Sequence, residues 1–366
     1  MNASGSNPES GTLGASNPEY VVGRVRSRRA SLFADEDYRK LIRMGPSGIA
    51  RFMEESEYER EINELGTRFS GVDLIEHALN RNLAKHFQDL LDWSEGRLYD
   101  LIARYLRKFD VWNLKTIIRG IYTDTDPEEY QTDLIRAGEL DDRTLDRLME
   151  ADEIEDAIEM LSRTTYYEPL MAAYEEFEET GALVPLENAL DRAFYERLLE
   201  DVSRPPGQEQ PQEGPEARYI EFLQAEIDFR NARNALRLAR SGADLDPASY
   251  YIEGGVLFEE SELNRLVADY DELIDHIAEN KRYGDRLSGA LDRLRDADSL
   301  IQFEHAVDAA LLQYSDTLSS IYPVSVSAVL SYILAKEREV ENIRAIARGR
   351  EVGLDESEIE EELVIL

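Results

Sequence analysis

Three short patterns recur three times along this 366-residue chain, always in the same order, and nothing else in the sequence restricts its possible folds as much. The first reads LFADEDYRKLI (32–42), ELDDRTLDRLM (139–149) and LFEESELNRLV (257–267). The second reads IEHALNR (75–81), LENALDR (186–192) and FEHAVDA (303–309). The third reads FDVWNLKTIIRG (109–120), IDFRNARNALRL (227–238) and REVENIRAIARG (338–349). Leu41 to Ala78, Leu148 to Ala189 and Leu266 to Ala306 span 37, 41 and 40 residues; Ala78 to Asn113, Ala189 to Asn231 and Ala306 to Asn342 span 35, 42 and 36. Any one pattern could arise by chance in a helical protein. Three in register point to one unit used three times.

The units read as helical. Asn113, Leu114, Ile117, Ile118 and Ile121 fall on one stripe of period 3.6, and the segments at Asn231 and Asn342 repeat it. No segment sustains the alternation of a half-buried strand. The fold class expected is therefore all-α, with three pseudo-symmetric helical repeats at 19–127, 128–243 and 244–366. Residues 1–18 lack both a basic start and an apolar run and read as a disordered tail. The Pro-rich stretch 203–217 reads as a loop within the second repeat. Gly120, Gly242 and Gly349 read as helix stops.

In each copy of the third pattern an acid precedes the Asn by three residues: Asp110, Asp228 and Glu339. Asn is a poor helix former, so Asn113, Asn231 and Asn342 imply buried side-chain hydrogen bonds. Basic residues follow each Asn at two and six positions: Lys115 and Arg119, Arg233 and Arg237, Arg344 and Arg348. Four residues apart, each pair shares a helix face. One reading pairs them, within the same repeat, with the acid of the second pattern (Glu76, Glu187, Glu304); a solvated face or an external ligand are the alternatives. His77 and His305 occupy the place where the second repeat has Asn188, which favours hydrogen bonding over metal ligation.

Composition narrows function further. A formal charge of −36 repels phosphates and anionic headgroups, so neither nucleic acid nor lipid is an expected partner. The acids are spread along the whole chain, as on a surface suited to high salt. The absence of Cys excludes disulfides and thiolate chemistry. The apolar stretch 324–335 is too short for a membrane span. No phosphate loop, nucleophile elbow or dinucleotide fingerprint is present. In DDRTLD (141–146) the third acid falls one position late for a magnesium-binding DDxxD, and the segment reads as a helix start.

YVVGRVRSRRASLF (20–33), FDVWNLKTIIRG (109–120) and KEREVENIRAIARG (336–349), with their spacing, resemble the C subunit of archaeal and bacterial V/A-type ATP synthases, itself similar to the d subunit of the vacuolar ATPase. The resemblance runs from about Tyr20 to the C-terminus; the tail before Pro18 and the loop at 203–217 depart from it. It implies a funnel of three helical domains, one end on the proteolipid ring and the other receiving the D/F shaft. It further implies a peripheral position on the cytoplasmic face of the membrane, with no catalytic residue, cofactor or metal. A free-standing helical scaffold is the alternative, against which stand repeats of roughly 110 residues where helical solenoids use about 33–47.

Overall fold

The computed structural model describes residues 16–202, 214–241, 247–283, 291–292 and 300–364, and no strand occurs among them. The first third of the chain forms α1 (Pro18–Arg29), α2 (Asp35–Leu41), α3 (Pro46–Glu54), α4 (Glu59–Leu65), α5 (Gly71–Trp93), α6 (Gly96–Leu106) and α7 (Lys108–Tyr122). The middle forms α8 (Pro127–Tyr130), α9 (Asp142–Met149), α10 (Ile154–Met160), α11 (Tyr167–Thr180), α12 (Val184–Val202) and α13 (Pro215–Ser241). The last third forms α14 (Glu260–Val267), α15 (Tyr270–Glu279), α16 (Leu300–Ile321), α17 (Val326–Val352) and α18 (Glu356–Glu361).

The first pattern opens α2, α9 and α14. Asp141 caps α9 by accepting the Thr144 amide at 2.8 Å, so DDRTLD does begin a helix. The second pattern lies in α5, α12 and α16, and the third in α7, α13 and α17.

Each third-pattern helix holds the chain that follows it by the same two hydrogen bonds. Asn113 Nδ2 donates to the Ile135 carbonyl at 2.9 Å and Asn113 Oδ1 accepts the Ile135 amide at 2.8 Å. Asn231 makes this clip to Ile252 at 2.8 and 2.9 Å, and Asn342 to Val364 at 3.1 and 3.0 Å. All three Asn side chains are buried. Burial makes the clip obligatory, because each lost partner would strand a polar group at about 1–3 kcal/mol.

One turn earlier, the acid holds a second segment. Asp110 accepts the amides of Glu139 (2.9 Å) and Leu140 (3.0 Å). Asp228 accepts those of Val256 (2.7 Å) and Leu257 (2.8 Å) and the Tyr283 hydroxyl (2.9 Å). In α17 the corresponding Glu339 reaches back to the start of the chain, accepting the Phe33 amide at 2.5 Å and the Tyr58 hydroxyl at 2.8 Å. Gly138 and Gly255 permit the close approach, since a Cβ on either would lie 2.0 or 2.2 Å from the carboxylate.

Three sequence expectations need correction. Gly120 and Gly349 lie inside α7 and α17, and α17 stops at Gly353, whose φ is 82°. A Cβ at Gly120 would sit 2.4 Å from the Tyr130 ring, and one at Gly349 2.8 Å from Ile359, so these glycines admit a packed neighbour. Gly242 lies outside the described residues, as do residues 1–15 of the expected tail and 203–213 of the expected loop. Ser16–Pro18 are nonetheless ordered: Asn17 donates to the Trp93 carbonyl at 2.8 Å, the Ser16 hydroxyl accepts the Leu98 amide at 3.2 Å, and Pro18 starts α1. Likewise Pro215–Ala217 are the first turn of α13.

Candidate functional site

At 100° per residue, positions five and one before each Asn, and two and six after it, form one stripe lying away from the Asn itself. The stripe reads Lys108, Trp112, Lys115, Arg119 on α7, Glu226, Arg230, Arg233, Arg237 on α13, and Glu337, Glu341, Arg344, Arg348 on α17. All but Arg344 and Arg348 face a cavity of about 670 Å³. Those two, with Trp112 and Arg119, line an adjoining recess of about 370 Å³. Walls also come from α12 and α16.

The outermost basic residues carry a correction to the within-repeat pairing. Arg119 meets Glu187 at 2.6 Å, Arg237 meets Glu304 at 2.6 Å, and Arg348 meets Glu76. Every one of these pairs joins a third-pattern helix to the second-pattern helix of a different copy: α7 to α12, α13 to α16, and α17 back to α5. Helix packing follows the same three pairings. The reason is angular. Two and six residues past the Asn, the basic face points roughly opposite the clip, so it turns to the neighbouring copy. The Glu187 and Glu76 carboxylates hold the Arg119 and Arg348 guanidiniums above their ordinary pKa.

The next layer pairs in the same sense. Lys115 binds Asp191 at 2.7 Å, Arg233 binds Asp308, and Arg344 donates to Asn80 Oδ1 at 2.6 Å. Burial pushes the Asp191 carboxyl up, but Arg230 and Lys115 outweigh it and hold it below the usual range. Asn80 has a second task, donating to the Thr132 carbonyl at 2.5 Å, which a carboxylate could not do. Asn80, Asp191 and Asp308 were not singled out in the sequence. Their signal was available, because they lie one helical turn beyond the repeated Glu and are polar in every copy.

Deeper still the three copies differ. Lys108 donates to Glu337 at 2.9 Å and Tyr105 Oη at 3.3 Å, and stands 3.9 Å from Glu226. Burial works against its charge, yet Glu337 and Glu226 raise its pKa. Above this layer Trp112 is 42% exposed and Arg230 is tied to Asp191. Glu341 is exposed and, among the described residues, has no hydrogen-bond or ion-pair partner. Loss of water beneath the walls, with the Asp308 and Glu337 charges, pushes its carboxyl up to about 7.

Seven cationic and six anionic side chains line the cavity. On a chain of −36 this lining is close to charge balance, so an anionic group meets less repulsion there than on a surface of average charge. His305 Nδ1 is 3.0 Å from the Glu361 carbonyl and the His77 ring lies tilted against Phe69, with ring centroids 3.8 Å apart; both lie outside the cavity lining. Among the described residues no cluster of three or more His, Asp or Glu has the arrangement of a metal site, and no helix is long and apolar enough to cross a membrane.

The sequence profile of the ATP synthase (C/AC39) subunit family matches residues 21–362. The A-type ATP synthase C subunit of Haloferax volcanii is 66% identical, covering 97% of this chain and 99% of that protein. That of Halorubrum lacusprofundi is 65% identical over 96% and 99%, and that of Methanosarcina mazei 34% identical over 96% and 94%.

Proposed function

Because the chain belongs to the ATP synthase (C/AC39) subunit family, we propose that it acts as a non-catalytic central-stalk adaptor that couples the membrane proteolipid ring to the D/F shaft during ATP synthesis or ion transport. In this reading the units 19–127, 128–243 and 244–366 form a pseudo-threefold funnel. The D/F shaft enters the cavity, and the opposite end rests on the ring at the cytoplasmic face of the membrane. The observation that carries the reading is the cyclic set of pairs Arg119–Glu187, Arg237–Glu304 and Arg348–Glu76, of which Arg119, Glu187 and Arg237 line the cavity and Arg348 its adjoining recess.

We assign the seat on the ring to the other end of the long helices, 17 to 19 residues along α5, α13 and α16 from those pairs. There, Asn17 meets Trp93, Arg97 meets Glu216, Arg218 covers Tyr322 and Arg26 donates to the Pro323 carbonyl, which gathers the segments 16–20, 93–98, 216–218 and 321–325. Tyr20, Tyr99, Ile321 and Val324 are exposed on or beside them. Attachment through protein contacts, without lipid insertion, follows from the charge: a −36 chain is repelled by an anionic leaflet.

Cross-linking of the assembled membrane complex tests this. Cavity residues are expected to link to D or F, and residues 93–98 and 321–325 to the proteolipid. Links from the cavity to the ring, or to neither, would reject the assignment of ends. Flotation with bare and ring-bearing liposomes is expected to show binding to the latter alone.

A further inference from the structure

A socket built from three copies of one unit has a difficulty that its rim does not resolve. The outer layer is Arg in all three copies, each paired to Glu, and the next is basic in all three. Such layers look alike at 120° intervals, so a partner held by them alone could seat in three orientations of similar energy and slip between them under torque.

The equivalence ends at Trp112, Arg230 and Glu341, which occupy one position of the repeat. They present an aromatic face, a cation already tied to Asp191, and a carboxylate with no partner among the described residues. Trp112 and Glu341 are the two that remain exposed to the cavity. We propose that Trp112 and Glu341 fix the angular register of the inserted polypeptide, selecting one that carries a cationic side chain against Glu341 and an apolar surface against Trp112.

This inference rests on the rotor reading and adds to it the chemistry of the occupant. Three observations support it. The cavity volume corresponds to about one and a half turns of a helix about 10 Å across. An arriving cation meets an acid that has no pairing to break. An arriving apolar side chain covers a tryptophan ring whose Nε1 already donates to the Asp133 carbonyl at 3.1 Å, so burying it strands no donor.

Docking should then depend on pH. The groups acting on Glu341 are Glu337 and Arg344 of its own helix, Asp308 of α16 and Lys108 of α7. With its carboxyl near 7, Glu341 takes up a proton as pH falls through neutrality, and a cationic partner loses its counter-charge.

The absence of Cys permits a direct test with the full chain and the purified D/F shaft. Asp73, Val184 and Ile301 are exposed and each precedes the repeated Glu by three residues, so they mark equivalent points near the rim. Asp73→Cys, Val184→Cys and Ile301→Cys chains are each cross-linked to a shaft carrying one cysteine near its end. A unique register gives one dominant product, at about fivefold or more over the other two. Adding Trp112→Ala and Glu341→Gln evens the three yields and lowers shaft affinity about tenfold, with the melting temperature as a control on folding. Equal yields in the chain with Trp112 and Glu341 intact, or unequal yields that survive the double substitution, overturn the inference while the rotor reading stands. Failure of the unsubstituted chain to bind the shaft at all overturns the rotor reading and this inference together.

Discussion

The acid-centred joints that follow the chain differ from the joint that closes its two ends. Asp110 and Asp228 accept backbone amides only 28 to 30 residues further on, to which Asp228 adds the Tyr283 hydroxyl, 55 residues away. Glu339 holds Phe33 across 306 residues and has a buried ammonium beside it: Lys336 Nζ donates to Glu339 at 2.7 Å and to Tyr58 Oη at 2.9 Å, and lies 4.2 Å from the Tyr58 ring. Lys336 is fully buried, and burial lowers its pKa while Glu339 opposes the shift. A joint between consecutive segments is helped by a short connection. The closing joint must overcome the entropy of a far longer loop, and it is there that the fold places a charge pair.

The largest test of this difference is Lys336→Met. It leaves the Glu339 carboxylate buried without its cation and is expected to cost about 3–5 kcal/mol by denaturant unfolding. Lys336→Met with Glu339→Gln should recover much of that loss, as removing both charges removes the penalty. Equal losses in the single and double variants would mean that shape, not charge, closes the ends.

The second test sits at the Asp110 joint. Burial pushes its carboxyl from 3.8 up to about 6 despite the two amides it accepts. The folded state then binds the extra proton between those values, so the group's contribution is complete below about pH 4 and is lost as pH rises through 6. Relative to Asp110→Asn, which does not titrate, the unsubstituted chain should lose up to ~3 kcal/mol between pH 4 and 7. A pH-independent difference would show that Asp110 is ionised throughout.

The smallest effect belongs to the rim. Arg119 and Arg237 remain more than half exposed in their pairs with Glu187 and Glu304. A double-mutant cycle on Arg237 and Glu304 should give a coupling of only about 0–1 kcal/mol, falling with salt. A value near that of Lys336–Glu339 would erase the contrast between rim and joint.

The helices, the buried Asn and the paired acids were readable in the sequence because period and repetition both mark them. Their partners were not equally readable. Asn113 said that a buried hydrogen bond exists, but nothing local says that Ile135 receives it. The pairing of Arg119 with Glu187 was within reach of the repeat, yet spacing alone cannot decide which copy a helix face turns towards. Trp112 and Glu341 escaped notice for the opposite reason. Repetition reveals what three copies share, and these positions matter by differing.

The grip of Glu339 on Phe33 also sets an order of events during synthesis. Ribosomes add about 5–20 residues per second, so roughly 15–60 seconds separate the emergence of Phe33 from that of Glu339. Throughout that interval the N-terminal helices lack the wall that α17 provides, and the apolar faces around Val21, Val25 and Tyr38 wait uncovered. The nascent chain is therefore most exposed to aggregation and proteolysis just before its last thirty residues appear, and a truncation there would leave the beginning of the protein unsealed.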